Sequence, residues 1–376
     1  EDGDVSRHLV THERVDRVVL TGSYETARLF KSWKPDMHLL GETSGKNAII
    51  VTPSADPDLA VRDIVSSAFA HAGQKCSASS LLILVGSAGH SARIARQLVD
   101  AAASLRVGAP SALDSQVGPV VVPDDEKALR GLTTLGPGEH WVLKPRCLGD
   151  GLWTPGIRAG VVPGSEFHLT EYFAPVLGVM RVDTLEEAIE AVNSVDYGLT
   201  SGLHTLDTDE LAQWLEGIQA GNLYVNRGIT GAIVRRQPFG GWKRSAIGST
   251  TKAGGPSYLL GLGEVEPAHD QVAGEAETSH SETLSAHVLA LCDAAGEHLG
   301  QADLAHLRRA VLADSAAWAS DYGVNRDVTG LACERNILRY RPATVLVRAE
   351  RGSALTDIAR VMAAAILAGG PVTLSV

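Results

Sequence analysis

The chain has 376 residues, 44% hydrophobic and 20% charged, which suits a soluble globular protein of two to three domains with ample apolar mass for a core. A formal net charge of -11 excludes nucleic acid as the main partner, because phosphate recognition needs concentrated Lys and Arg. No apolar run of about 18 residues is present, so no transmembrane helix is expected, and four scattered cysteines without a CxxC pair exclude a disulfide scaffold and a zinc site and suit a reducing, cytoplasmic setting.

The chain opens on Glu1 with no signal peptide, and residues 18–20 read as a short buried strand. Thr21-Gly22-Ser23 and a helical stretch to Trp33 follow, a βα unit. Strands are expected at 47–51, 81–85 and 221–225, and helices at 58–71, 91–105, 185–193 and 207–218, the third opened by Asp183-Thr184 as a capping pair. Residues 130–160, rich in Gly and Pro, read as loops with one short strand. The alternation predicts an α/β fold with a largely parallel sheet. Composition shifts near Glu264, and residues 266–284 read as a polar linker. Beyond it, helices at 284–297 and 303–319 precede a strand at 344–347, a helix at 355–367 and a buried strand at 372–376, an incomplete α/β module. Both ends read as cut from a longer polypeptide.

Four local patterns can carry chemistry. Cys76 follows a predicted helix in Ala72-Gly73-Gln74-Lys75-Cys76-Ser77, where Gly73 permits a sharp turn and Lys75 favours a lowered thiol pKa and exposure. A lone cysteine is more often a buried small hydrophobe, and Cys147, Cys292 and Cys333, which have no such context, are read as structural. Glu42, in Leu40-Gly41-Glu42-Thr43-Ser44-Gly45-Lys46, has little packing reason to be there and suits a general base, although a capping Glu in a loop would look the same. Gly22 and Ser23 before a helix can approach a phosphate, a weak signal. Glu171 and Phe173, in Glu171-Tyr172-Phe173-Ala174-Pro175-Val176, pair an acid suited to sugar hydroxyls with an aromatic, yet an ordinary surface turn is the commoner reading of either alone.

Taken in order, Thr-Gly-Ser, Glu-x-x-Gly-Lys, Gly-Gln-x-Cys and Glu-x-Phe-x-Pro-Val resemble the aldehyde dehydrogenase superfamily over roughly residues 15–265. Thr43-Ser44 departs from the commoner Leu-Gly, and Ala174 from a usual Gly. Residues 226–232 (Asn-Arg-Gly-Ile-Thr-Gly-Ala), Gln237-Pro238-Phe239-Gly240-Gly241 and Lys252-Ala253-Gly254-Gly255-Pro256 are similar to the glutamate γ-semialdehyde (pyrroline-5-carboxylate) dehydrogenases. They are similar in particular to the bifunctional proline-utilisation enzymes, in which a proline dehydrogenase domain comes first.

The resemblance implies an aldehyde-dehydrogenase-like α/β fold. Residues 1–48 would be the C-terminal remnant of a Rossmann-type NAD domain, 49–246 the catalytic domain, 247–265 an oligomerisation or tail segment, 266–284 the linker and 285–376 a further aldehyde-dehydrogenase-like α/β module. It implies Cys76 as nucleophile and Glu42 as base, and NAD held by Gly22, Ser23, Glu171 and Phe173. Ser77 and the backbone of Gly231 and Ala232 would bind the substrate carboxylate, with Phe239 on its aliphatic stem. FAD would belong only to a proline dehydrogenase domain and not to this chain, and no metal is implied. The longer protein would be a homo-oligomer acting on a small aldehyde. The backbone N–H of Cys76 is one oxyanion donor; the family's second, an Asn well upstream of the base, has no counterpart here, so the piece alone is expected to be inactive. Two other readings stay open: a non-catalytic structural or assembly piece, separable by NAD titration, and a dehydrogenase of another small aldehyde, separable by kinetics.

Overall fold

A computed structural model describes residues 3–248, 252–264 and 284–376, which fall into two compact units, Glu1–Val265 and Glu266–Val376. The predicted linker therefore lies almost wholly outside the described residues, as does part of the 247–265 segment.

The first unit opens with α1 (Asp4–Thr11), β1 (Arg17–Thr21), α2 (Tyr24–Trp33) and β2 (His38–Glu42). Next come β3 (Asn47–Val51), α3 (Pro57–Phe69), β4 (Ser79–Val85), α4 (Ala92–Ala103) and α5 (Glu126–Thr133). Strands β5 (His140–Leu143), β6 (Cys147–Gly149), β7 (Leu152–Trp153) and β8 (Gly156–Val161) lead to α6 (Glu166–Leu169), β9 (Val176–Val182), α7 (Leu185–Asn193) and β10 (Tyr197–Gly198). The unit closes with β11 (Thr200–His204), α8 (Thr208–Gly217), β12 (Asn222–Val225), β13 (Trp242–Lys243) and β14 (Ala246–Ile247).

Its centre is a seven-stranded sheet in the order β12-β11-β3-β4-β9-β8-β5, in which every pairing is parallel except that of β5 with β8. The five residues of β3, Asn-Ala-Ile-Ile-Val, are all buried, as expected of a parallel strand covered on both faces. Local signals place the helices. Asp56 caps α3 through the N–H groups of Asp58 and Leu59 with Pro57 in the first turn, and Thr184 and Glu187 form a reciprocal capping box on α7.

A smaller sheet, β1-β2-β14, lies beside it in sequence, with β1 parallel and β14 antiparallel to β2. The expectation that residues 18–20 are buried fails: the strand is there, but it is the sheet edge, and Val19 is 58% exposed. Residues 130–160 hold the end of α5 and four strands, not one. The periodic signal is weak there because β8, Gly-Ile-Arg-Ala-Gly-Val, interrupts its apolar run with two glycines and a buried Arg158, and β6 and β7 are only three and two residues long.

The second unit has α9 (Ala286–Gly296), α10 (Gln301–Ala317), short strands β15 (Arg326–Asp327) and β16 (Ile337–Leu338), then β17 (Val345–Arg348), α11 (Leu355–Leu367) and β18 (Val372–Ser375). Val288, Cys292, Leu307, Val311, Ala359 and Ala363 form its own core. Strands β17 and β18 pair in parallel across α11, as the β-α-β pattern predicts. The last strand is not buried: Leu374 and Val376 are 41% and 98% exposed.

Candidate active site

After α3 the chain turns through His71, Ala72 and Gly73, all with positive φ (56°, 55° and 67°). Glycine accepts this backbone freely and the other two at a cost. A Cβ on Gly73 would lie 2.3 Å from the Ala174 carbonyl oxygen, so only glycine lets the turn lie against the segment holding Glu171 and Phe173. Gln74 rivets the same contact: its side-chain N–H donates to Phe173 O (3.0 Å) and its oxygen accepts from Val121 N–H (2.8 Å). Cys76 sits at the end of this turn, half-buried.

Glu42 is the last residue of β2. Its carbonyl accepts from Gly22 N–H (3.2 Å), and the next two residues are locked to the 244–245 turn. Thr43 N–H donates to Ser245 O (3.0 Å), the Thr43 hydroxyl to Arg244 O, and the Ser245 hydroxyl to Ser44 O (2.6 Å). The Thr43-Ser44 departure thus carries its own bonding. Burial raises the Glu42 carboxyl to about 7, opposed by the charge of Lys252.

Gly45 and Asn47 join base and thiol. A Cβ on Gly45 would come within 2.8 Å of Cys76 O and 2.7 Å of Asn47 Oδ1. The Asn47 amide donates to Cys76 O (2.7 Å) and Ala78 O (2.9 Å) while its oxygen accepts from Thr200 N–H (3.0 Å). Asn47 escaped the sequence reading, since an Asn opening an apolar strand looks like a turn residue. The thiol itself departs from expectation. Burial and then the charges of Glu42 and Glu171 push Cys76 up to about 11, although the backbone N–H groups of Ser77 and Cys76 pull the other way. The leading causes are burial and two carboxylates, not the neighbouring lysine.

The Glu171 segment is not an ordinary surface turn. The carboxylate accepts from Gly45 N–H (3.0 Å), and burial raises its pKa against that bond, the Ser44 hydroxyl, Lys127 and Lys46. With about four lone-pair sites on a carboxylate, it keeps acceptor capacity for a further ligand. Phe173, at positive φ (53°) and 40% exposed, stands two residues on. Gly22 is tied to Glu42 as above, and Ser23 caps α2 by accepting from Thr26 N–H (3.0 Å). Glu25 in the first turn of α2 adds a negative charge at that helix start.

Ser77 lies beside Cys76, buried. Gly231, at φ 86°, and Ala232 lie on the loop after β12, anchored at one end by Ile229 N–H to Ser67 Oγ (3.0 Å). At the other end Phe239 exchanges two backbone bonds with Ala253 (3.0 and 2.8 Å). The ammonium of Lys252 clamps that end, donating to Gly221 O (2.6 Å), Gly240 O (2.7 Å) and Asn222 Oδ1 (3.2 Å). Burial lowers this lysine to about 8, with Glu42 opposing. Charge couples Glu42 to Cys76 and to Lys252, hydrogen bonds from Gly45 and Gln74 hold the segment with Glu171 and Phe173, Ser77 follows Cys76 in the chain, and Gly22 is reached through the Glu42 backbone. Among the described residues no group of three or more His, Cys, Asp or Glu side chains could hold a metal ion. Nor is any helix among them long and apolar enough to cross a membrane.

Residues 1–262 match the aldehyde dehydrogenase family. The 1-pyrroline-5-carboxylate dehydrogenase of Bacillus licheniformis is 33% identical over 267 residues, 68% of this chain and 51% of that protein. The bifunctional protein PutA of Klebsiella aerogenes is 32% identical over 384 aligned positions, 96% of this chain and 29% of that protein. Among solved structures, proline utilization A from Corynebacterium freiburgense superposes with a TM-score of 0.89 at 47% identity, over all of this chain and 37% of that one. A Thermus 1-pyrroline-5-carboxylate dehydrogenase with bound NAD gives 0.62 at 35% identity, over 69% of this chain and 51% of that one. The chain spans about half the length of the single-function relatives it matches.

Proposed function

The chain belongs to the aldehyde dehydrogenase family, and from that premise we propose that it carries the thiol and base of an NAD-dependent oxidation of glutamate γ-semialdehyde to glutamate. The observation that carries the reading is the junction of Gly45 and Asn47 with Cys76 O, which binds the base-bearing strand to the nucleophile turn.

The Cys76 sulfur, as thiolate, adds to the aldehyde carbon, and the Cys76 N–H stabilises the oxygen of the resulting thiohemiacetal. When bound, NAD supplies the hydride acceptor whose reduction leaves a thioester on Cys76. Glu42 then takes a proton from water, the hydroxide equivalent adds to the thioester carbon, and the C–S bond breaks to release the acid and restore the thiolate. A carboxyl at about 7 suits this work, because it is largely ionised just above neutrality and still basic enough to take the proton. Glu171 would accept from the hydroxyls of the nicotinamide ribose and Phe173 would flank the ring. The bonds from Gly45 to the Glu171 carboxylate and from Gln74 to Phe173 O support that reading. Gly22 and Ser23 would approach the cofactor's phosphate region. Ser77, with Gly231 and Ala232, would take the substrate carboxylate, and Phe239 its methylene stem.

The names of the relatives support the substrate, and the NAD complex of the Thermus protein supports the cofactor. The test is steady-state kinetics of a polypeptide carrying this chain together with a complete cofactor-binding half. Ser77→Ala should raise KM for glutamate semialdehyde about 5- to 100-fold, the worth of about 1–3 kcal/mol for a lost charge-assisted bond. The same change should leave KM for propanal nearly unmoved. Equal effects on both aldehydes overturn the carboxylate reading, and unchanged turnover in Cys76→Ala overturns the dehydrogenase itself.

A further inference from the structure

Lys46 is 4% exposed, and its ammonium has no hydrogen-bond partner. A buried charge without partners costs several kcal/mol and needs a reason. Its surroundings are aromatic. The nitrogen sits 4.1 Å from the centroid of the Phe167 ring and 5.9 Å from that of Tyr172, two rings that stack on each other at 5.2 Å. Arg158 takes the same Phe167 ring at 4.2 Å, but it is ion-paired to Glu139 (2.9 Å) and so is accounted for. Lys46 follows Gly45, whose N–H holds Glu171. The mechanism above makes no use of it.

We propose that Lys46 is a positioning residue for Glu171: its ammonium, seated on the Phe167 ring next to the Gly45 anchor, keeps that carboxylate ionised and fixed as the acceptor of a ligand's hydroxyl pair. The proposal rests on the reading of Glu171 as a ribose-binding group. The groups that act on Lys46 are Glu171 and Glu139, which favour its charge, and Arg158 and Lys127, which oppose it. Those that act on Glu171 are the Gly45 N–H, the Ser44 hydroxyl, Lys127 and Lys46. Burial outweighs them at the lysine and lowers it to about 7, so its charge on Glu171 fades as pH rises through neutrality.

The experiment is a carbon-13 NMR titration of the full 376-residue chain, labelled at Glu Cδ and Lys Cε, with Glu171→Gln and Lys46→Arg assigning the two signals. Lys46 is expected to titrate near 7, far below the ordinary 10.5. Lys46→Met should raise the Glu171 midpoint, and Lys46→Arg, which keeps the charge, should restore it. A Glu171 midpoint that is the same in the parent and in Lys46→Met overturns the proposal. So does a parent Glu171 signal that shows no inflection at the pH where Lys46 loses its proton, a result that needs no variant to fold. The cofactor reading has its own arm: NAD binding by Glu171→Gln in a polypeptide with a complete cofactor-binding half. If that affinity is unchanged, the ribose role falls while the titration stands. If affinity is lost but the titration shows no coupling, only the role of Lys46 falls.

Discussion

At Cys76 and Glu42 the two groups proposed to react oppose each other's ionisation. The ionised base raises the thiol, so a state with both groups charged is disfavoured. Alkylation by iodoacetamide at pH 8 should therefore strike the exposed Cys147 and Cys333 before Cys76, the reverse of what the Lys-Cys sequence predicts. Glu42→Gln removes one of the raising charges and should speed Cys76 alkylation roughly two- to tenfold, as peptide mapping over time would show. The same change should lower turnover by about 10²- to 10⁴-fold through loss of the base. It also reports on stability. The folded pKa of Glu42 lies above its unfolded value of 4.5, so the favourable contribution of this group is complete below 4.5 and lost as pH rises through about 7. Glu42→Gln should then match the parent at pH 4 and exceed it above pH 7 in urea unfolding, by less than the roughly 3 kcal/mol of the full shift because solvent screens this half-buried carboxyl. Equal stability at both pH values would mean that the carboxylate is not buried as described.

At the scale of elements, the site hangs on close backbone approaches that only particular glycines and short polar side chains permit. Gly73→Ala would set a methyl 2.3 Å from Ala174 O at a backbone φ of 67°. About 1–3 kcal/mol of strain is expected, together with a shift of the Glu171 segment away from Cys76. The variant should melt lower and should lose NAD affinity more than Gly138→Ala, a control at positive φ with nothing within 4 Å. Lys252→Met should free the Phe239 end of the substrate loop. Its KM for a carboxylated aldehyde should rise about tenfold, an order expected from removing charge-assisted bonds, while thermal stability of the second unit stays unchanged. The regular elements around these contacts were legible because their signals are local: Pro57 after Asp56, Thr184 with Glu187, the four apolar residues Ala48 to Val51 in β3. The motif-bearing Cys76, Glu42 and Glu171 stood out for their residue types. Lys46 and Lys252 were legible only as members of motifs and Asn47 only as a strand start, because what distinguishes each is a partner far away in sequence: the Phe167 ring, Gly221 O and Cys76 O. The reversed thiol pKa was hidden for the same reason, since burial and two distant carboxylates set it. Exposure of β1 and β18 was equally invisible, because an apolar strand reads alike whether or not anything covers it.

For the molecule as a whole, the two units with separate cores predict that heat or denaturant resolves two transitions, one for each unit. The larger consequence concerns the cofactor. A dinucleotide fold binds across the switch point between two mononucleotide halves. Among the described residues the sheet that includes the Glu42 strand has two parallel strands, β1 and β2, and one antiparallel strand, β14. These residues supply groups for the nicotinamide end, Glu171 and Phe173 foremost, and a helix start at Ser23 that is already capped and flanked by Glu25. We therefore expect the 376-residue polypeptide by itself to bind NAD weakly, with a dissociation constant above about 1 mM, and to show turnover of glutamate semialdehyde lower by about 10² or more than a polypeptide with a complete cofactor-binding half, since one oxyanion donor of the kind the resemblance sets upstream of Glu42 is worth about that much. Calorimetric titration with NAD beside a coupled assay of NADH formation is the measurement. Micromolar binding with normal turnover would require that β1, β2 and their turns form a complete dinucleotide site on their own, and the assignment of Gly22 and Ser23 to its edge would have to be given up.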